Sequence, residues 1–345
     1  MVSKQIDQRK TINIIAATVA AITVVVMIVF VVIILQENPE TEPTTNDDSE
    51  DTLVEDDVEI DENYSDEPID EIIDFQPVVD SWVNSVGGKK GIMIYDLNNG
   101  DVVGEYNAEE KFSTASLYKL FVVYEGYSRL QDGEWSRDDI VGATGRTVLN
   151  CLDMAIRVSH SPCAETLWSM IGRDELNTIV QTEFDLSDMW VTSLTATPSE
   201  ITAMMKMFYE HIEIEDADLI SKMEDSFLNQ PATDYNWRQG LPSGFSEIAK
   251  VYNKVGWNYD ASQRVWTIYD DAAIVEFTEA ERDYIVVVMT SGVDYSQIKR
   301  FGSEIEAKFV EAMQEINARK VAEEEEEEEE PTEETTEESE SAEEL

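Results

Sequence analysis

From Thr11 to Leu35 the chain reads TINIIAATVAAITVVVMIVFVVIIL, without one charged side chain. A helix of about 25 residues at about 1.5 Å rise exceeds the roughly 30 Å of a hydrocarbon core, so this run predicts a transmembrane helix. Lys4, Arg9 and Lys10 precede it and only acidic residues follow closely. That bias predicts a single-pass membrane protein with residues 1–10 cytoplasmic and the remainder extracellular. A cleaved signal peptide is the rival reading; the run is longer than a usual signal core, and no small-x-small cleavage pattern follows in LQENPETEP.

What emerges from the membrane is strongly acidic at both ends. Residues 36–75 hold 18 acidic and no basic side chains, and residues 321–345 hold 15 glutamates, out of 74 acids against 24 bases overall. Such stretches repel themselves and bury too little apolar surface to offset chain entropy, so 36–69 is expected to be a disordered spacer and 321–345 a disordered tail. The globular domain is then expected at 70–320. The charge balance excludes a nucleic-acid binder. Two histidines and two cysteines leave too few ligands for a zinc site, and no Gly-rich phosphate loop or nucleotide motif appears, so neither metal nor cofactor is expected.

Within 70–320 the hydrophobic periodicity switches twice. IDEIIDFQPVVDSWVNSV has helical spacing; KGIMIYDLNNGDVVGEYN is two alternating runs joined by Asn98-Asn99-Gly100, a hairpin signal. Helical patterns follow at about Thr114–Leu130, Leu149–Val158, Cys163–Ile171 and Pro198–His211. AKVYNKVGW, QRVWTIYDDAAIVEF and RDYIVVVMTSG then read as three antiparallel strands, and SQIKRFGSEIEAKFVEAMQEINARK as a closing amphipathic helix. The expected class is α+β: an antiparallel sheet flanked by helices, plus a separate all-α lobe.

Ser116-Leu117-Tyr118-Lys119 lies at the start of an apolar-periodic helix. Residues three apart share a helix face, so the Lys119 amine can reach the Ser116 hydroxyl, and the helix N-terminus favours negative charge developing there. A lysine in a buried, cation-rich site can lose its proton and act as base. Spacing alone is weak: Ser296-Gln297-Ile298-Lys299 repeats it, and is expected to be a surface turn. Ser159-His160-Ser161 falls between two helices, where either serine could cap the second. Lys254-Val255-Gly256 falls on a strand, where a lysine could simply protect an edge. His160 beside Ser159 suggests a serine–histidine pair, but neighbouring residues point apart and no ordered aspartate partner is visible. Cys151 and Cys163 are either a disulfide, as an oxidising compartment favours, or two buried thiols. Tyr118 and Trp257 either shape a cleft or pack in the core.

Taken together and in this order, the three motifs resemble those of the penicillin-recognising serine enzymes, most closely class A β-lactamases. YNAEEKFSTASLYKL, TATPSEITAMMKMFY and DDAAIVEF look like that family's landmarks, and the resemblance spans nearly all of 70–320. It implies a β-lactamase/transpeptidase-like fold in which Ser116 is the nucleophile, Lys119 accepts its proton, and Ser159 passes a proton to the departing nitrogen. Lys254 would hold the substrate carboxylate, Gly256 would let substrate lie close to the strand, and Ser161 would contact a substrate amide. The N–H groups of Ser116 and Trp257 would form the oxyanion hole.

Two departures qualify the resemblance. His160 and Ser161 stand where the family usually shows aspartate and asparagine. The loop glutamate that activates the deacylating water has no counterpart in IGRDELNTIVQTEFDLSDMWVTSLTATPSE; Glu175, Glu183 and Asp185 are the acids on offer. The expectation is therefore a membrane-anchored serine hydrolase, a β-lactamase or D,D-peptidase acting through an acyl-enzyme on a β-lactam or D-alanyl cell-wall peptide, with slow hydrolysis of β-lactams. The alternative is a pseudoenzyme kept as an extracellular binding or scaffolding module.

Overall fold

The computed structural model describes residues 71–186, 189–211, 214–230 and 238–329. The apolar run 11–35, the acidic spacer and the end of the tail lie outside them. Among the described residues no helix is long and apolar enough to cross a membrane.

In chain order the main elements are α1 (Gln76–Ser85), β1 (Lys89–Asp96), β2 (Asp101–Tyr106), β3 (Phe112–Ser113), a 3₁₀ turn (Ala115–Tyr118), α2 (Lys119–Gln131), α3 (Val148–Arg157), α4 (Ser161–Ile171), α5 (Arg173–Thr182), β4 (Thr195–Ala196), α6 (Pro198–Glu210), α7 (Ala217–Leu228), β5 (Ala249–Asp260), β6 (Val265–Phe277), β7 (Arg282–Ser291) and α8 (Tyr295–Glu329). Two features were not expected. α7 carries an amphipathic pattern capped by Asp216, whose carboxylate accepts from the N–H groups of Asp218 and Leu219. α8 runs past Lys320 to Glu329, into the stretch expected to be tail.

β2, β1, β7, β6 and β5 pair in that order as one antiparallel sheet, with Ile92 opposite Val288 and Lys254 opposite Ala272. The β1–β2 turn needs Gly100, whose φ of +77° an L side chain rarely adopts. One face of the sheet meets α1 and α8 through Phe75, Trp82, Val286, Phe301 and Phe309. The other meets an all-α lobe built around α2, in which Leu120 to Tyr124 are buried without interruption. Layers on both faces explain why β7 carries the apolar run Ile285–Met289 and why β6 is buried without a break from Tyr269 to Val275, Asp270 and Asp271 included.

Candidate active site

β3 pairs with β4, Phe112 opposite Ala196, and the Thr114 N–H donates to Leu194 O at 2.9 Å. The TATP segment thereby fixes the approach to Ser116, while Thr197 caps α6 in a reciprocal box with Glu200. Ala115, just before the nucleophile candidate, has φ +40°, and Ser159 has φ +53°. Left-handed conformations at non-glycine residues cost on the order of 1–3 kcal/mol each and persist where packing over-determines them.

Here the packing comes from β5. A methyl group on Gly256 would lie 2.5 Å from Thr114 O and 3.2 Å from Ser116 N. Glycine at this position therefore makes room first for the protein's own Ser116 turn, a role additional to the substrate clearance expected from the sequence.

The Lys119 amine is the hub of the site. Its Nζ lies 3.2 Å from Ser116 Oγ, 3.0 Å from Ser159 Oγ and 3.1 Å from Ser161 Oγ, and it also bonds Ser159 O. Lys254 Nζ reaches the same Ser159 hydroxyl at 3.1 Å and its own strand at Val255 O. Ser116 remains partly exposed, so the segment before β4 does not seal it. Burial lowers the Lys119 pKa to about 8, partly offset by the Glu165 carboxylate. Burial also pushes Lys254 well down, helped by the charge of Lys119 and opposed by Asp271. Two amines sharing one hydroxyl in a desolvated cleft disfavour each other's charged form.

Trp257 sits where β5 leaves the cleft, but its indole packs edge-on against Trp266, with ring centroids 5.2 Å apart. Neither Ser159 nor Ser161 caps α4. The cap is His160, whose Nδ1 accepts the Cys163 N–H at 3.2 Å. Burial, Arg146 and Lys119 all lower the His160 pKa, which favours the uncharged ring whose Nδ1 accepts this bond. Cys151 and Cys163 are joined by a disulfide that ties α3 to α4 across the Ser159 turn.

The acids proposed as deacylation bases lie elsewhere. Glu175 is bound by Arg129 at 2.6 Å, and Glu183 shares a hollow with Glu125, Arg129 and Glu175. Arg129 follows Lys119 by ten residues along α2, about 15 Å of helix. Asp185 is exposed and left-handed. Asn177, next to Glu175 and Leu176, is spent on the connection, giving and receiving hydrogen bonds with Thr192. Sequence reasoning missed Glu165, which accepts the Tyr118 hydroxyl at 2.7 Å and pairs with Arg173. The sequence shows only that Glu165 follows Ser161 by four residues on one helix face; its partners lie on other elements.

An antiparallel sheet beside an all-α lobe, with two lysines and three serines converging at their seam, defines the β-lactamase-like α+β fold. A family model described as the beta-lactamase enzyme family matches residues 74–313, and the chain belongs to that family. Among solved structures it is similar to an ancestral (GNCA) class A beta-lactamase, at 16% identity over 68% of this chain and 99% of that one, with a TM-score of 0.57. A beta lactamase from Xanthomonas campestris matches at 15% identity over 68% and 98%, with TM-score 0.57. One from Burkholderia vietnamiensis matches at 15% over 66% and 94%, also at 0.57. These likenesses concern the fold. No curated protein matches.

Proposed function

We propose that the chain is a membrane-anchored extracellular serine hydrolase that opens a β-lactam or a D-alanyl stem-peptide amide through an acyl-enzyme on Ser116. Residues 11–35 are the anchor, 36–69 the spacer, 70–320 the catalytic domain and 321–345 the acidic tail. The observation that carries the reading is one buried amine, Lys119 Nζ, within 3.0–3.2 Å of three hydroxyls, one of them on a partly exposed serine. The Cys151–Cys163 bridge supports an oxidising location.

Neutral Lys119 takes the Ser116 proton as Oγ attacks the carbonyl carbon. The N–H groups of Ser116 and Trp257 receive the oxyanion, an interaction worth about 3 kcal/mol per donor in such sites. Ser159, held between Lys119 and Lys254, gives its proton to the departing nitrogen as the C–N bond breaks, and is reprotonated from Lys119. Lys254 attracts the substrate carboxylate, and Ser161 offers one short hydroxyl to the substrate amide.

The test is a chromogenic-cephalosporin time course with intact-mass analysis, alongside Ser116→Ala. A burst accompanied by a covalent adduct that requires Ser116 is the expected result. Absence of both burst and adduct, on this probe and on D-alanyl peptides, transfers the weight to a binding module.

A further inference from the structure

An acyl-enzyme is released only when water attacks its ester carbonyl, and water needs a base near that carbon. Glu175 is held by Arg129 near the far end of α2, and Glu183 lines the same hollow. Glu165 is differently placed. It stands one helical turn beyond Ser161, whose hydroxyl is 3.1 Å from Lys119 Nζ, so the two side chains share one face of α4. Tyr118, the residue beside Lys119, hands it a hydroxyl hydrogen bond at 2.7 Å, and the Tyr118 ring packs at a tilt against Trp168, on the helix that carries Glu165. Arg173, lying over the Trp168 ring at 4.2 Å, closes the other side of the carboxylate. These contacts fix the direction of the side chain while leaving 44% of it open to solvent, as a water-directing group requires. Its charge also acts on Lys119, partly offsetting the effect of burial on that amine.

The geometry points to Glu165 as the catalytic base that directs the hydrolytic water onto the Ser116 acyl-enzyme. This assignment rests on the serine-hydrolase reading above. In the step, the water oxygen bonds to the ester carbonyl carbon while Glu165 takes one water proton. The tetrahedral intermediate then collapses with cleavage of the bond between that carbon and Ser116 Oγ. Glu165 passes that proton to the neutral Lys119 amine, the amine delivers it to the serine oxygen, and a carboxylic acid leaves.

The experiment is pre-steady-state labelling of the full chain with a chromogenic cephalosporin, following adduct formation and decay by intact mass. In Glu165→Gln, which keeps an acceptor for Tyr118, a Ser116-dependent burst still forms, while adduct decay slows by at least about tenfold. Glu165→Ala decays as slowly and is accelerated by added formate, which a purely structural role would not allow. The formate arm also decides the matter if the variants are less stable. Adduct decay unchanged in Glu165→Gln, or formate without effect on Glu165→Ala, overturns this assignment alone. So does a wild-type adduct that fails to decay. Failure of the wild type to form any Ser116-dependent adduct overturns the hydrolase reading itself.

Discussion

Ser116 and Lys119 stand three residues apart at the start of one helix, and Ser296 and Lys299 stand three residues apart at the start of another. On α8 the inward side is taken by Ile298, Phe301 and Ile305, so Ser296 and Lys299 face solvent. The Ser296 N–H closes a local turn onto Asp294. On α2 the residues from Lys119 to Tyr127 are buried without a break, so the Lys119 amine is desolvated. Two other elements then converge on it, the α3–α4 turn with Ser159 and Ser161 and strand β5 with Lys254. Equal spacing thus gives two different chemistries, because a lysine becomes a base through burial and neighbouring charge, which spacing does not encode.

The largest separation between the two sites is expected from serine removal. Ser116→Ala eliminates the covalent adduct and lowers turnover at least about 10⁴-fold, whereas Ser296→Ala changes neither, as intact mass and initial rates will show. An adduct on Ser296 would break the comparison. Added methyl groups give the next effect. Gly256→Ala drives a methyl into Thr114 O, costing about 1–3 kcal/mol of stability and displacing the Ser116 turn, so Tm and acylation rate fall together. Gly302→Ala, on α8, meets Leu241 O at 2.9 Å; it lowers Tm while sparing the acylation rate. The smallest effect is set by pH. Lys119 must be neutral to accept a proton, and its pKa is lowered to about 8, so acylation slows about tenfold for each pH unit below that value and levels off above it. A profile flat from pH 6 to 8 would mean that Lys119 is not the base.

Much of this was legible in the chain. The Asn98-Asn99-Gly100 hairpin, the three late strands and the closing helix follow from periodicity and turn chemistry, which act locally. Ser116, Lys119, Ser159, Ser161 and Lys254 were legible as candidates because their order and flanking segments match a known pattern, and the structure gathers their side chains at one seam. Three things were not legible. His160 outcompetes two serines as the α4 cap because Ser159 turns left-handed, a conformation dictated by tertiary packing. Gly256 is demanded by a carbonyl distant in sequence. Glu165 stands out only once α2 and α4 are side by side, since its partners are Tyr118 and Arg173, on different elements.

The disulfide adds a dimension of timing. Cys151 and Cys163, 12 residues apart, close a covalent ring whose members include Ser159 and Ser161. A ring of this size restrains the unfolded chain by about 3 kcal/mol. Maturation of the site is therefore coupled to thiol oxidation: protein made in a reducing cytosol carries the second motif without its clasp. In such a preparation fewer than one adduct per chain is expected, rising toward one after oxidative refolding, so labelling stoichiometry reports how the sample was produced as much as how fast the serine reacts.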